Sequence, residues 1–66
     1  MQITINDSTV TVPEYCTVAQ ALQSYNITFS GIAVAVNNKV VPLAKLDTTP
    51  LHSGDSIIII QAFYGG

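Results

Sequence analysis

Apolar and polar side chains alternate along the first twelve residues. In "QITIN", Ile3 and Ile5 fall on one side and Gln2, Thr4 and Asn6 on the other; in "TVTV", Val10 and Val12 alternate with Thr9 and Thr11. A period of two is that of a half-buried strand. Asn6, Asp7 and Ser8 between the two runs are turn formers, so residues 2–12 are expected as a β-hairpin. Pro13 ends it, because proline has no N–H to give to a ladder.

The period then changes. Val18, Ala21, Leu22 and Tyr25 recur at i, i+3, i+4 and i+7, one stripe of a short amphipathic helix. Thr17 and Gln20 have the spacing of a capping box, in which each side chain satisfies a backbone N–H of the first turn. Asn26 suits the position just past the helix end. "IAVAVN" (32–37) is apolar throughout and reads as a central strand, and Asn37-Asn38 turns it into the short strand "KVVP", stopped by Pro42. Residues 43–55 read as loop with one helical turn, punctuated by Pro50 and Gly54-Asp55. "SIIIIQAF" is the last strand.

A single helix cannot bury its stripe alone, so it must cover one face of a mixed sheet. The expected fold is α+β, a β-grasp of the ubiquitin-like kind, with four to five strands packed on one helix. Its first and last strands lie side by side and parallel in the centre. The domain spans residues 1–64, and residues 65–66 form a Gly-Gly tail. Along the final strand Ile57, Ile59, Gln61 and Phe63 share one face, and Ile58, Ile60, Ala62 and Tyr64 the other. Gln61 points its set away from the helix, beside the outward Thr4, Thr9 and Thr11. That leaves Ile57, Ile59 and Phe63 as an expected docking surface for partners. The alternative is a sheet buried on both sides, with loop 43–55 over the second face.

Composition narrows the function. Hydrophobic residues make up 48% of the 66 and charged residues 9%, so the chain is globular, yet its few charges cannot cover so small a surface. With Lys39 and Lys45 as the only basic residues and a net charge of −2, there is no nucleic-acid footprint. No apolar run approaches the ~20 residues of a membrane helix. Met1 leads straight into the first strand without a signal-peptide pattern, and one cysteine fits a reducing compartment, so the expected location is the cytoplasm.

Side-chain chemistry is sparse. His52 stands alone in a turn-rich stretch, without a second ligand at metal spacing. Cys16 precedes the helix start, where a thiolate gains from nearby N–H groups, but free cysteines mostly serve as small buried hydrophobes. Asp7, Glu14, Asp47 and Asp55 are scattered over turns and make no acid/base pair. The chain is therefore not expected to be an enzyme, nor to bind a metal or cofactor of its own. Gly65 and Gly66 remain. An α-carboxylate that must enter another enzyme's nucleotide site needs a thin arm behind it, and glycine has no Cβ to obstruct a narrow channel. The Gly66 carboxylate is accordingly the candidate reactive group.

The opening "QITIN", the "TVAQAL" helix start, "VAVNNKVVP", "SGDSIIIIQ" and the terminal Gly-Gly occur in an order and spacing that resemble the ThiS family of sulfur carriers in thiamin thiazole synthesis. The resemblance spans nearly the whole chain. It implies that Gly66 is the modified residue, with Gly65 and Tyr64 as its tail. It also implies that Gly66 is adenylated with ATP by a ThiF-type enzyme and converted by a persulfide donor to a thiocarboxylate. A ThiG-type thiazole synthase then takes the sulfur. Leu43 and Leu46 stand where the family often has Arg and Trp. The other readings are a MoaD-like carrier for molybdopterin synthesis and a β-grasp module that only binds partners.

Overall fold

A computed structural model describes residues 1–28 and 31–61 of the chain. Strands β1 (Gln2–Ile5) and β2 (Ser8–Thr11) are followed by helix α1 (Val18–Ser24), strands β3 (Ile32–Val36) and β4 (Lys39–Val41), a 3-10 helix (Leu43–Thr48) and strand β5 (Ser56–Gln61). The sheet has five strands in the order β2-β1-β5-β3-β4. β1 and β5 are parallel, with Ile5 opposite Ile57; every other pairing is antiparallel. The expected β-grasp arrangement, first and last strands adjacent at the centre, is the one observed.

Local chemistry accounts for each joint. Both hairpins turn on residues with positive φ, Asn6 (49°) and Asp7 (67°) in the first, Asn37 (50°) and Asn38 (69°) in the second. Two consecutive left-handed residues make a turn whose twist matches that of the strands, and Asn and Asp tolerate this conformation best after glycine. At the helix start the Gln20 N–H donates to Thr17 Oγ1 (3.2 Å), and the Thr17 N–H donates to Gln20 Oε1 (2.9 Å), completing the capping box. At its end Asn26 is left-handed (φ 59°), the Ile27 N–H donates to the Leu22 carbonyl and the Asn26 N–H to that of Gln23. These two bonds form a Schellman motif, with asparagine in the place usually held by glycine.

Ile3, Ile5, Val12, Val18, Ala21, Leu22, Val34 and Ile57 form the core between sheet and helix. The stretch after β4 joins it from the helix side. Leu46 and Leu51 are buried in the same cluster, the Val18 N–H donates to the Thr49 carbonyl, and the Leu51 N–H donates to that of Cys16. The 3-10 helix runs over six residues, longer than the single turn expected, because burying Leu46 demands a wound segment beside α1. With helix and loop on one side, the other face of the sheet has no covering layer among the described residues.

The face assignment of β5 is corrected here. Ile57 is 0% exposed and Ile59 packs against the core, so this set faces the helix. Neither can be a docking residue on an open surface. Gln61, taken as the marker of the outer face, sits at the last rung opposite Ile32 and is exposed because it lies at the rim. Its polarity therefore reports its distance along the strand and carries no information about its side. Register confirms the reversal: Thr4 pairs with Ser56, which places Ile58 and Ile60 on the face of the threonines.

Candidate functional site

β5 carries the candidate arm, and the way it is held sets where that arm begins. Its first rungs are pinned on both flanks. The Asn37 N–H donates to the Ser56 carbonyl (2.8 Å), and the Ser56 N–H donates to Asn37 Oδ1 (3.0 Å). Asn37 Nδ2 donates to Asp55 Oδ1 (3.0 Å), while Asp55 Oδ2 accepts the His52 N–H (2.7 Å). On the β1 side, the Thr4 N–H donates to the Asp55 carbonyl and the Asn6 N–H to the Ile57 carbonyl. The Ile59 N–H then donates to Asn6 Oδ1 at 2.8 Å. On the β3 side, pairing continues through Ile60 opposite Ala33 to Gln61 opposite Ile32. A groove of about 470 Å³ lies beside this exit, lined by Ile5, Asn6, Ile27, Ile59 and Gln61.

The open face has its own composition. Its β1–β2 half is a threonine surface, Thr4, Thr9 and Thr11. Its β3–β4–β5 half is apolar: Ala35 pairs with both Val40 and Ile58, and Ala33 pairs with Ile60. Val40 is 76% exposed and Ile60 59%. Two small alanines on β3 leave a shallow floor between larger side chains, a surface a partner could cover. Sequence reasoning recognised that one face of the sheet would be apolar and exposed, and chose the wrong set of isoleucines.

The remaining side-chain candidates are not brought together. Cys16 is a buried free thiol in the core cluster. His52 is solvent-exposed, with Nδ1 3.8 Å from Asp55 Oδ2. Asp7, Glu14 and Asp47 are exposed and far apart in the chain. Among the described residues no group of His, Cys, Asp or Glu could hold a metal ion, and no helix is long and apolar enough to cross a membrane. Leu46 is a fully buried plug against α1, and Leu43 is partly exposed. Phe63, Tyr64, Gly65 and Gly66 lie outside the described residues.

Comparison with known proteins bears on this arrangement of a rigid sheet and a C-terminal strand. The sulfur carrier protein ThiS of Escherichia coli (strain K12) is 30% identical over 66 residues, covering all of both chains. The crystal structure of a thiamine biosynthesis protein (ThiS) from Geobacter metallireducens superposes with a TM-score of 0.82 at 26% identity, over 100% of this chain and 99% of that one. A solution structure of a thiamine biosynthesis protein from the same organism gives 0.75 at 26% identity, over 100% and 88%. The family model for ThiS matches residues 1–66. The chain belongs to the ThiS family.

Proposed function

We propose that this protein carries sulfur as a thiocarboxylate on Gly66 for thiazole synthesis in the thiamin pathway. The observation that carries the proposal is the full-length match to the ThiS family, with the chain and its carrier relative aligned over the whole of both. Side-chain poverty adds support: among the described residues no group of His, Cys, Asp or Glu could hold a metal ion, and the main-chain carboxylate is the group with chemistry to offer.

The steps follow from that carboxylate. In the site of a ThiF-type partner, a Gly66 oxygen attacks the α-phosphate of ATP, forming an acyl-adenylate and releasing pyrophosphate. A persulfide donor then attacks the acyl carbon and displaces AMP. A thiol attacks the donor-side sulfur of the resulting acyl disulfide, forming a disulfide with the donor and releasing the thiocarboxylate, whose sulfur passes to a ThiG-type thiazole synthase. Gly65 and Tyr64 form the arm that enters the partner's site, and Phe63 belongs to the same partner-contacting segment. The docking surface is the apolar half of the open face, Val40, Ile58 and Ile60 with Ala33 and Ala35. These residues replace Ile57 and Ile59 in that role. The setting for this exchange is the cytoplasm.

Intact mass tests the proposal. After incubation with ATP, the adenylating partner and a persulfide donor, the chain should gain the difference between one sulfur and one oxygen. Deleting Gly66 should abolish the gain. An unchanged mass with partners that modify their own carrier would refute it.

A further inference from the structure

We infer that Asn6 is a positioning residue for the C-terminal arm, through a side-chain bond that extends the β1–β5 ladder past the end of β1. The assignment rests on the carrier function proposed above.

In a parallel ladder each bonded residue of one strand is straddled by two residues of the other. Its N–H goes to the first and its carbonyl accepts from the residue two further on. Asn6 makes the first bond in the normal way, donating its N–H to the Ile57 carbonyl at 2.9 Å. The second bond, from the Ile59 N–H, goes to Asn6 Oδ1 at 2.8 Å. Asn6 has turned left-handed (φ 49°) to begin the hairpin, and its main chain leaves the strand direction at that point. Its side-chain carbonyl supplies the acceptor in the strand's place.

Few side chains meet both demands. The residue must tolerate a positive φ, and it must carry a carbonyl-type oxygen two bonds beyond Cβ. Asparagine and aspartate do both. Glycine satisfies the first demand alone. The consequence lies on β5: Ile59 is the last residue of that strand held from the β1 side, two positions before the end of the described strand at Gln61. Among the described residues beyond it, Ile60 and Gln61, the pairing comes from β3. A strand held on both edges has one direction; a strand held on one edge can swing out of the sheet. Asn6 therefore moves the last position of β5 held on both edges from Ile57 to Ile59, two residues nearer the arm. A carrier whose docking face and reactive tip are separate gains from this, because docking then places the tip with fewer orientations to search.

The test uses the full chain with a ThiF-type adenylating partner and ATP. Asn6→Gly keeps the left-handed turn and removes Oδ1; Asn6→Asp keeps an acceptor oxygen. Asn6→Ser, whose hydroxyl ends one bond short of Oδ1, is a second loss variant; because serine also strains the positive φ, it is compared with Asp7→Ser, which strains the same turn (φ 67°) and leaves Oδ1 in place. In N6G the Ile59 amide should exchange with solvent roughly tenfold faster, while Ile57 stays protected. The kcat for pyrophosphate release should fall roughly tenfold with KM unchanged, because the docking face is intact. N6D should retain unaltered behaviour in both measurements. A loss variant with faster Ile59 exchange and unaltered kcat would overturn the positioning role, and so would equal losses in N6D and N6G. Failure of the unaltered chain to be adenylated would instead remove the carrier function, and this role with it.

Discussion

Truncating two isoleucines of β5, three residues apart, separates the two faces of the sheet by energy. Ile57 is 0% exposed, in register with Ile5 on one side and Val36 on the other. Ile57→Ala removes three carbons from the middle of the core and leaves a cavity whose walls belong to paired strands and cannot close. Substitutions of this kind cost about 2–5 kcal/mol, and the rigid central location argues for about 3–4. At about 0.05–0.15 kcal/mol per residue, a chain of 66 residues has a total stability of roughly 3–10 kcal/mol. The variant thus sits near the edge of folding, with Tm lower by about 12–32 °C.

Ile60→Ala removes the same atoms from a side chain that is 59% exposed. Only two-fifths of their transfer energy is at stake. With ~0.8 kcal/mol for each of three methylene equivalents, the loss is about 1 kcal/mol, or about 4–8 °C in Tm. If the alanine variant does not fold, Ile57→Val, costing about 1 kcal/mol, is compared with Ile60→Val, where two-fifths of one methylene equivalent is about 0.3 kcal/mol. Urea unfolding followed by far-UV circular dichroism gives each value, provided the slope against urea is the same for all chains. Equal losses at the two positions, or a larger loss at 60 than at 57, would refute the assignment of the faces and return Ile57 to the open surface.

Function should separate the same positions in the opposite sense. Asp at position 60 together with Val40→Asp should raise KM for an adenylating partner by tenfold or more while leaving the unfolding transition cooperative, since both side chains are exposed. Steady-state pyrophosphate release measures this, and an unchanged KM would remove these residues from the interface. At the helix start, Thr17→Ala breaks the capping box and should cost about 1 kcal/mol in urea unfolding, whereas Thr17→Ser should restore most of it. A neutral Thr17→Ala would mean that tertiary bonds such as that from the Val18 N–H to the Thr49 carbonyl hold the first turn unaided.

What could be read from the chain, and what could not, divides along a physical line. Local rules sufficed wherever a residue's neighbours in sequence decide its state. The alternation of Ile3 and Ile5, the Thr17–Gln20 box, the left-handed Asn26 and the Asn37-Asn38 turn all fall in this class, and the topology followed from their order. Four consecutive isoleucines are different. A strand that is apolar on both faces has no internal marker of its inner side, and Gln61 was a false one: it sits on the inner side yet is exposed at the last described rung, opposite the partly buried Ile32. The true marker was on the neighbouring strand, far away in sequence: Ile5 faces the core, β1 is parallel to β5, and register alone couples Ile57 to Ile5. The role of Asn6 was equally illegible. As a sequence feature it is a turn former, and the acceptor it offers Ile59 depends on a contact between residues 53 positions apart. The fold thus uses one asparagine to end a strand and to continue its ladder. If the carrier chemistry is that proposed for Gly66, a turn near the start of the chain supplies the last β1-side bond to the strand that leads to the reactive residue.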